Sequence, residues 1–219
     1  MQPVQAPTPR LSRKERLRGK NPHRYDNLIR TATQVFADEG FNGSSVNRLA
    51  KQVGVGVGTI YSYFDDKEDL FLACVRRAAE TDLAGKSERM DETQPALNML
   101  KAIVRIDHEL MERDPDGQRL LKSVFYGINS QLPITPEAQA LYFGSMDLVQ
   151  RALDKGTQEG VFALGQDGPL AALLINGLME TFFVLGRTLG GNDTGATVEL
   201  AERALELVCR GIVSPSHRA

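Results

Sequence analysis

The chain has 219 residues, of which 42% are hydrophobic and 25% are charged. That length and apolar content suit one large or two small domains with a hydrophobic core. The two cysteines form neither a Cys-x-x-Cys pair nor a secreted disulfide framework, which excludes a disulfide scaffold. The longest apolar run, residues 170–185, contains Asn176 and Glu180 and is short for a membrane span. Since the N-terminal segment is polar and lacks the apolar core of a signal peptide, we expect a cytoplasmic protein.

Charge is distributed unevenly along the chain, although the net charge is only −2. Residues 1–79 contain 13 basic and 8 acidic side chains, whereas the remaining residues contain 13 basic and 20 acidic ones. A basic front end on an acidic body is typical of a DNA-facing module attached to a regulatory body.

Residues 1–22 contain six basic side chains, one acidic side chain and several prolines. Such a segment cannot bury enough apolar surface to order itself, so we expect a disordered basic arm. Two interpretations of the arm remain open. It is either a solubilising tail or an arm that follows the DNA backbone or enters the neighbouring minor groove.

Three segments with helical periodicity follow the arm. The first is predicted to end at Gly40, the second covers residues 46–53, and the third covers residues 57–64. A Gly-Val-Gly turn, residues 54–56, separates the last two. Two short helices joined by a glycine-containing turn predict a helix-turn-helix.

Polar residues mark the starts of two helices. Either Ser44 or Ser45 can cap the second helix by accepting a backbone N–H. The acidic residues in Asp65-Asp66-Lys67-Glu68 suit the positive end of a fourth helix. Its apolar stripe predicts packing on both the helix-turn-helix and the domain that follows.

The third helix has two distinct faces when its residues are placed at 100° intervals. Ile60 and Phe64 point inward, whereas Gly58, Tyr61 and Ser62 share another arc. That arc combines a bare backbone, a phenol and a hydroxyl, which suit hydrogen bonding to an extended polar partner.

Residues 53–70, VGVGVGTIYSYFDDKEDL, and the preceding GFNGSSVNRLA resemble the N-terminal domain of the tetracycline-repressor (TetR) family of bacterial transcription regulators. The spacing G-T-I-Y-x-Y-F-x-x-K-E-x-L occurs from Gly58 to Leu70 without a gap. The resemblance implies a helix-turn-helix DNA-binding domain with a linking helix over residues 23–83. It implies a helical effector-binding and dimerisation domain over residues 84–219, and an all-α fold of about nine helices. The longer segments of the chain independently follow helical periodicity.

The resemblance also implies individual DNA contacts. Phosphates are expected to contact Ser44 or Ser45, Tyr61, Tyr63 and Lys67. Residues at or near base edges are expected to be Asn47, Val57, Gly58, Thr59 and Ser62. An alternative for Tyr61, Tyr63 and Phe64 is that they are core aromatics.

This chain departs from many family members at the start of the third helix. Gly56 and Val57 are small and apolar where others carry serine and a basic or polar residue. We therefore expect weak direct readout there, although Val57 could touch a thymine methyl. Asn47, which can pair bidentately with adenine, is expected to carry more of the specificity.

Beyond the polar segment 84–94, where we expect the domain connection, five further helices are predicted. The last two, at residues 169–189 and 194–212, are typical of an association surface, since the first is apolar almost all round and the second has an apolar stripe opposite a charged face. The resemblance implies that they form a four-helix bundle with their copies in a homodimer. The alternative is an internal helix core in a monomer.

The resemblance further implies a pocket for a small-molecule effector in the C-terminal helices. Our candidate contacts are Phe125, Tyr126, Asn129, Tyr142, Asn176, Met179, Glu180 and Phe183. Apolar walls with a few polar groups are typical of such pockets, but the same residues would also fill an ordinary helix core.

These features predict a sequence-specific regulator, most simply a repressor released by its effector and associated with the nucleoid when bound to a palindromic double-stranded operator. A non-specific architectural DNA-binding protein is the alternative. An enzyme is disfavoured because His23, His108 and His217 lie at no metal-ligand spacing and the glycine run 54–58 lacks the context of a phosphate loop. We therefore expect no catalytic residue, metal or cofactor.

Overall fold

A computed structural model describes residues 17, 19–125, 134–189 and 194–212, with side chains for all of these except 183–196 and 212. The described part of the chain contains nine α-helices, one short 3₁₀ helix over Gly165–Asp167 and no β-strand. The helices are α1 Pro22–Gly43, α2 Val46–Val53, α3 Val57–Tyr63, α4 Lys67–Ser87, α5 Ala96–Arg113, α6 Pro115–Phe125, α7 Pro136–Gln158, α8 Gly168–Leu189 and α9 Thr194–Ile212. The all-α prediction is confirmed.

Glycines end the first two helices. Gly40 has a φ of 69°, so the backbone leaves the helical conformation there, before the last residues of α1. Gly54 follows α2 with a φ of 76° and donates its N–H to Lys51 O at 3.3 Å, while Val55 N–H bonds Ala50 O at 2.9 Å. This is a Schellman-type ending, which turns the chain sharply into α3. The predicted helix-turn-helix is therefore present.

Contacts divide the described chain into two compact units. The first contains the described residues up to Ala78 together with residues 119–125, and the second contains residues 79–118 and the described residues from 134 onward. Both α4 and α6 therefore run from one unit into the other. Because α4 continues to Ser87, the predicted connection over residues 84–94 begins inside a helix.

The first unit has an aromatic core at the helix-turn-helix. Phe36 packs edge-on against Phe71, with ring centroids 5.0 Å apart, and Tyr25 stacks on Phe64 at 5.8 Å. Cys74 is also fully buried, as expected for a small hydrophobic residue. Thus α1, α3 and α4 are held together by side chains that are distant in sequence.

The second unit is centred on α5, α7, α8 and α9, whose buried faces form one hydrophobic cluster. The chain after α7 folds back so that Phe162 covers Gly156, and the N–H groups of Val161 and Phe162 both bond Gly156 O. Cys209 lies in the same cluster and is buried. The core thus depends on a glycine that lets an aromatic ring approach the α7 backbone.

Two local expectations need correction. Ser45 precedes α2, but its side chain makes no capping bond, and Ser44 Oγ instead donates to Phe41 O at 2.7 Å. The residues Asp114-Pro115-Asp116-Gly117 predict a stop between α5 and α6, but the break in the structure is a single residue, Asp114. Pro115 directly begins α6 because proline suits the first helical turn, and Asp114 Oδ1 accepts the Gly117 N–H at 3.1 Å.

Candidate nucleic-acid interface

Helix α3 presents the face that its sequence predicted. Ile60 is buried, whereas Gly58 is exposed and Tyr61 is 45% exposed. An added Cβ at Gly56 or Gly58 would meet no heavy atom within 4 Å. The beginning of α3 is therefore an open, nearly bare backbone with a phenol one turn further along.

Two smaller side chains complete this face. Thr59 and Ser62 are partly exposed, and Ser62 Oγ donates to Thr59 O at 2.6 Å. Val57 is also partly exposed at the first position of the helix. The surface thus offers hydroxyl groups and the methyl groups of Val57 and Thr59, which suit base edges in a groove.

Tyr63 lies on the opposite side of α3. Only 1% of the residue is exposed, and its ring centroid is 6.1 Å from that of Tyr25. Phe64 is likewise buried. This burial favours the interpretation of Tyr63 as a core aromatic over the predicted phosphate contact.

Lys67 connects the helix-turn-helix to α4. Its Nζ donates to Ser44 O at 2.8 Å and lies 4.4 Å from the centroid of the Phe41 ring. Partial burial lowers the pKa of Lys67 from its ordinary value. The cation is therefore held beside the start of α2, where an approaching phosphate would meet it together with the first N–H groups of that helix.

The start of α2 is polar and partly uncapped. Ser44 is buried, with its hydroxyl engaged by Phe41 O, so it is poorly placed for a phosphate. Ser45 is exposed and makes no side-chain cap bond to the first turn. Of the two serines, Ser45 therefore has the better position for contact with DNA.

Helix α2 also carries basic residues that our sequence reasoning missed. Asn47 and Lys51 are both exposed and are separated by four residues, which puts them on one face. Arg48 is exposed beside them and forms an ion pair with Glu39 of α1. The positions of Arg48 and Lys51 in the helical period, relative to the apolar residues Leu49 and Ala50, could have predicted that these basic side chains are exposed.

The structure describes only some of the candidate effector contacts. Tyr126 and Asn129 lie outside the described residues, as does the Phe183 side chain, and Phe125 is partly exposed in the first unit. In the second unit, Tyr142 is buried on α7, Met179 packs against the hydrophobic cluster, and Glu180 is partly exposed.

Asn176, another effector candidate, binds main-chain oxygens through its side-chain amide. Its Nδ2 donates to Ala172 O at 2.9 Å and lies 3.5 Å from Met146 O on α7. The amide thus binds main chain in α8 and links that helix to α7. This arrangement is compatible with a helix core or with the polar edge of a pocket.

Comparisons with known proteins extend from the interface to most of the chain. Residues 28–74 match "Bacterial regulatory proteins, tetR family". The fatty acid metabolism regulator protein of Bacillus subtilis (strain 168) is 26% identical over 199 residues, or 90% of this chain and 98% of the relative. The HTH-type transcriptional repressor AcnR of Corynebacterium efficiens is 28% identical over 192 residues, or 86% and 92% of the two chains.

A solved structure is also similar over most of the chain. The transcriptional regulator FadR from Bacillus subtilis, in complex with stearoyl-CoA, has a TM-score of 0.71 and 26% identity, covering 86% of this chain and 99% of FadR. Residues 28–74 therefore carry the DNA-binding domain of the TetR family. This match runs from α1 through the helix-turn-helix into α4, and the chain is a DNA-binding transcriptional regulator.

Two further observations concern metal sites and membrane spans. Within the described ranges, no helix is long and apolar enough to span a membrane. Across the same residues, histidine, cysteine and acidic side chains form no group of three or more that could hold a metal ion.

Proposed function

We propose that this regulator is a repressor that binds a palindromic operator as a homodimer and is released by a small-molecule effector. The observation that carries the proposal is the exposed polar face of α3 within a family-matched helix-turn-helix. Two copies related by a two-fold axis would read half-sites separated by about one DNA turn, roughly 34–36 Å. Such a protein would act in the bacterial cytoplasm, on the nucleoid when bound.

DNA contacts fall into two groups in this proposal. Tyr61, Lys67 and Ser45 bind phosphates together with the first N–H groups of α2, and Lys51 adds charge. Base edges are met by Asn47, Val57, Gly58, Thr59 and Ser62. Because α3 begins with small residues, Asn47 supplies much of the direct readout, through the bidentate geometry that its amide offers to adenine.

Exposed leucines on the last two helices support a homodimer. On α8 these are Leu170, Leu173 and Leu174, and on α9 they are Leu200 and Leu207; each is more than half exposed. We call these five residues the leucine face. Large exposed apolar patches are typical of protein interfaces, and the two helices that carry this face contact each other. A second copy of the chain would cover it in a four-helix bundle.

The effector in this proposal is a long-chain fatty acyl-CoA. Support comes from the similarity to FadR, which was crystallised with stearoyl-CoA and aligns with most of this chain. The candidate contacts Tyr142, Met179 and Glu180 combine apolar surface with a few polar groups, as such a ligand requires.

Release follows from differential binding. If the effector binds more tightly to an arrangement in which the DNA-binding units no longer match the operator spacing, it must weaken operator binding, and operator must weaken effector binding equally. We call the first unit the DNA-binding unit and the second unit the regulatory unit. Helix α4 connects them along the chain, because it begins just after α3 and ends in the regulatory unit.

The decisive experiment is selection of DNA from a random duplex pool by the purified protein at about 150 mM salt, where weak phosphate-only binding is suppressed. An enriched palindrome is the expected result. Binding without enrichment would favour an architectural DNA-binding protein, and deletion of residues 1–22 would then remove most of the affinity. Stearoyl-CoA is added next, and unchanged operator affinity at saturation would contradict the acyl-CoA effector.

A further inference from the structure

A buried polar network lies in the regulatory unit and was not foreseen from the sequence. Asp82 Oδ2 accepts hydrogen bonds from Ser145 Oγ at 2.5 Å and from Lys86 Nζ at 3.1 Å, while Asp82 Oδ1 accepts from Gln118 Nε2 at 2.9 Å. Lys86 also pairs with Asp107 Oδ1 at 2.7 Å and donates to Ser145 Oγ at 2.9 Å. These five residues, the Asp82 network, join α4, α5, α6 and α7.

Asp82 is the centre of this network. It is 2% exposed, and both of its carboxylate oxygens are engaged by side chains from three helices. Burial by itself raises the pKa of Asp82, but the charge of Lys86 and the bonds from Ser145 and Gln118 outweigh it, so the net pKa is lowered. Asp82 is therefore an ionised carboxylate whose partners hold it in one geometry.

Such a network constrains helices differently from apolar packing. Hydrophobic contact is non-directional, whereas hydrogen bonds require short distances and aligned donors. A shift of α4 by one turn, about 5.4 Å, would separate Asp82 from Ser145 and Gln118, whereas Lys86 would move with it on the same helix. A smaller displacement of α6 or α7 would leave a buried charge incompletely paired, which is strongly unfavourable. The bonds therefore define one position of α4 within the regulatory unit.

Gln118 is the last residue of the regulatory unit before α6 enters the DNA-binding unit. Gln118 binds Asp82, and the next residue of α6, Arg119, pairs with Asp38 of α1 at 2.8 Å within the first unit. In the same way, α4 carries Asp82 in its second half and the buried core residues Leu70 and Phe71 in its first half. Both helices that leave the network thus continue as parts of the DNA-binding unit.

We propose that Asp82 is a positioning residue that holds α4 in its DNA-binding position through Ser145 and Gln118. This inference rests on the proposed function, since it concerns the coupling between the regulatory and DNA-binding units. An effector that displaces α6 or α7 removes a donor from Asp82, loosens α4 and lowers operator affinity. The network is thus the element that converts ligand binding into DNA release.

The test uses two substitutions that each remove donors without adding charge, Ser145→Ala and Gln118→Met. Arg105→Ala is the matched control, because it breaks an exposed ion pair of the same unit, with Glu202, outside the network. Hydrogen–deuterium exchange of the full-length free protein is followed in residues 79–87 and in α9. Operator affinity is then measured on the selected duplex by fluorescence anisotropy.

Both network variants are expected to raise exchange in residues 79–87 at least tenfold, to leave exchange in α9 unchanged and to weaken operator binding at least fivefold. Arg105→Ala is expected to change neither the exchange of residues 79–87 nor the operator affinity. Should Ser145→Ala fail to fold, Gln118→Met, which removes a single bond, decides. Unchanged exchange, or increased exchange with wild-type operator affinity, overturns the inference. If the wild-type protein selects no DNA sequence, the proposed function fails separately, while exchange still decides whether the network positions α4.

Discussion

Lys67 Nζ donates a 2.8 Å hydrogen bond to the main-chain oxygen of Ser44, so the first residue of α4 is bonded to the segment directly before α2. Helix α3 lies between these two elements in the chain. One side chain thus ties the start of α4 to the segment before α2 and places a positive charge there.

Replacing Lys67 with methionine should therefore affect both stability and DNA binding. We expect a loss of about 1 kcal/mol in the free energy of unfolding, because one hydrogen bond from a partly buried cation is lost. We expect operator affinity to fall about tenfold, and the slope of log K against log salt to decrease by about one phosphate contact. Urea unfolding and anisotropy titrations at several salt concentrations measure these effects. An unchanged salt slope would leave Lys67 with the structural role only.

Loss of the hydroxyl group should weaken operator binding at Tyr61 but not at Tyr63, the other tyrosine of α3. Tyr61→Phe removes an exposed phenol, so operator affinity should fall about five- to twentyfold, the cost of about one charge-assisted hydrogen bond, with the free energy of unfolding unchanged. Tyr63→Phe is the matched variant inside the core and should leave operator affinity within about twofold. A larger loss for Tyr63→Phe than for Tyr61→Phe would restore Tyr63 as the phosphate contact.

A charge on the leucine face should prevent dimerisation. Leu173, 63% exposed on α8, becomes arginine, and sedimentation equilibrium should then give the monomer mass. Operator affinity should fall more than 100-fold, since a single half-site offers about half of the contacts. Ala163→Arg, an exposed position outside α8 and α9, is the control and should remain dimeric. A monomeric wild-type protein would remove the basis for the leucine face as an interface.

Gly156 should be the less tolerant of two glycines on α7. An added Cβ would overlap the Phe162 ring at Cδ2, so Gly156→Ala is expected to cost about 1–3 kcal/mol through overpacking. At Gly144 the nearest atom, Leu83 Cδ2, is 3.5 Å away, and Gly144→Ala should be neutral or stabilise by up to about 1 kcal/mol. Chemical denaturation of both variants measures the difference, and equal stabilities would contradict the close approach of Phe162.

Stability should depend on pH through the Asp82 network. The folded pKa of Asp82 is lowered, so its contribution is present above the unfolded value of about 3.9 and is lost as pH falls through the folded pKa. The pKa of Lys86 is raised, because attraction to Asp107 and Asp82 exceeds the effect of burial. Its contribution is present below about 10.4 and is lost as pH rises through the folded value.

Urea unfolding from about pH 2 to pH 10 measures this dependence, and Asp82→Asn should flatten its acid limb. Asp154→Asn, which removes an exposed carboxylate of α7, is the control and should retain that limb. An acid limb that persists in Asp82→Asn would assign the loss of stability to other carboxylates.

Much of this architecture could be predicted from local sequence because helices depend on spacing within a few turns. The apolar period, Gly40, Gly54 and Pro136 define helix ends by backbone chemistry that needs no distant partner. The run from Gly58 to Leu70 is likewise contiguous, so the family and the exposed face of α3 followed from it.

Tertiary structure decided the roles of individual side chains. Periodicity could assign Tyr63 either to DNA or to the core, and only packing against Tyr25 buried it. Ser145 and Asp82 meet across 63 positions of sequence. No local pattern encodes such a contact, because it depends on how whole helices pack. The sequence by itself therefore determined the helices, the helix-turn-helix and the family, whereas the packed structure decided which polar groups face outward and which hold α4.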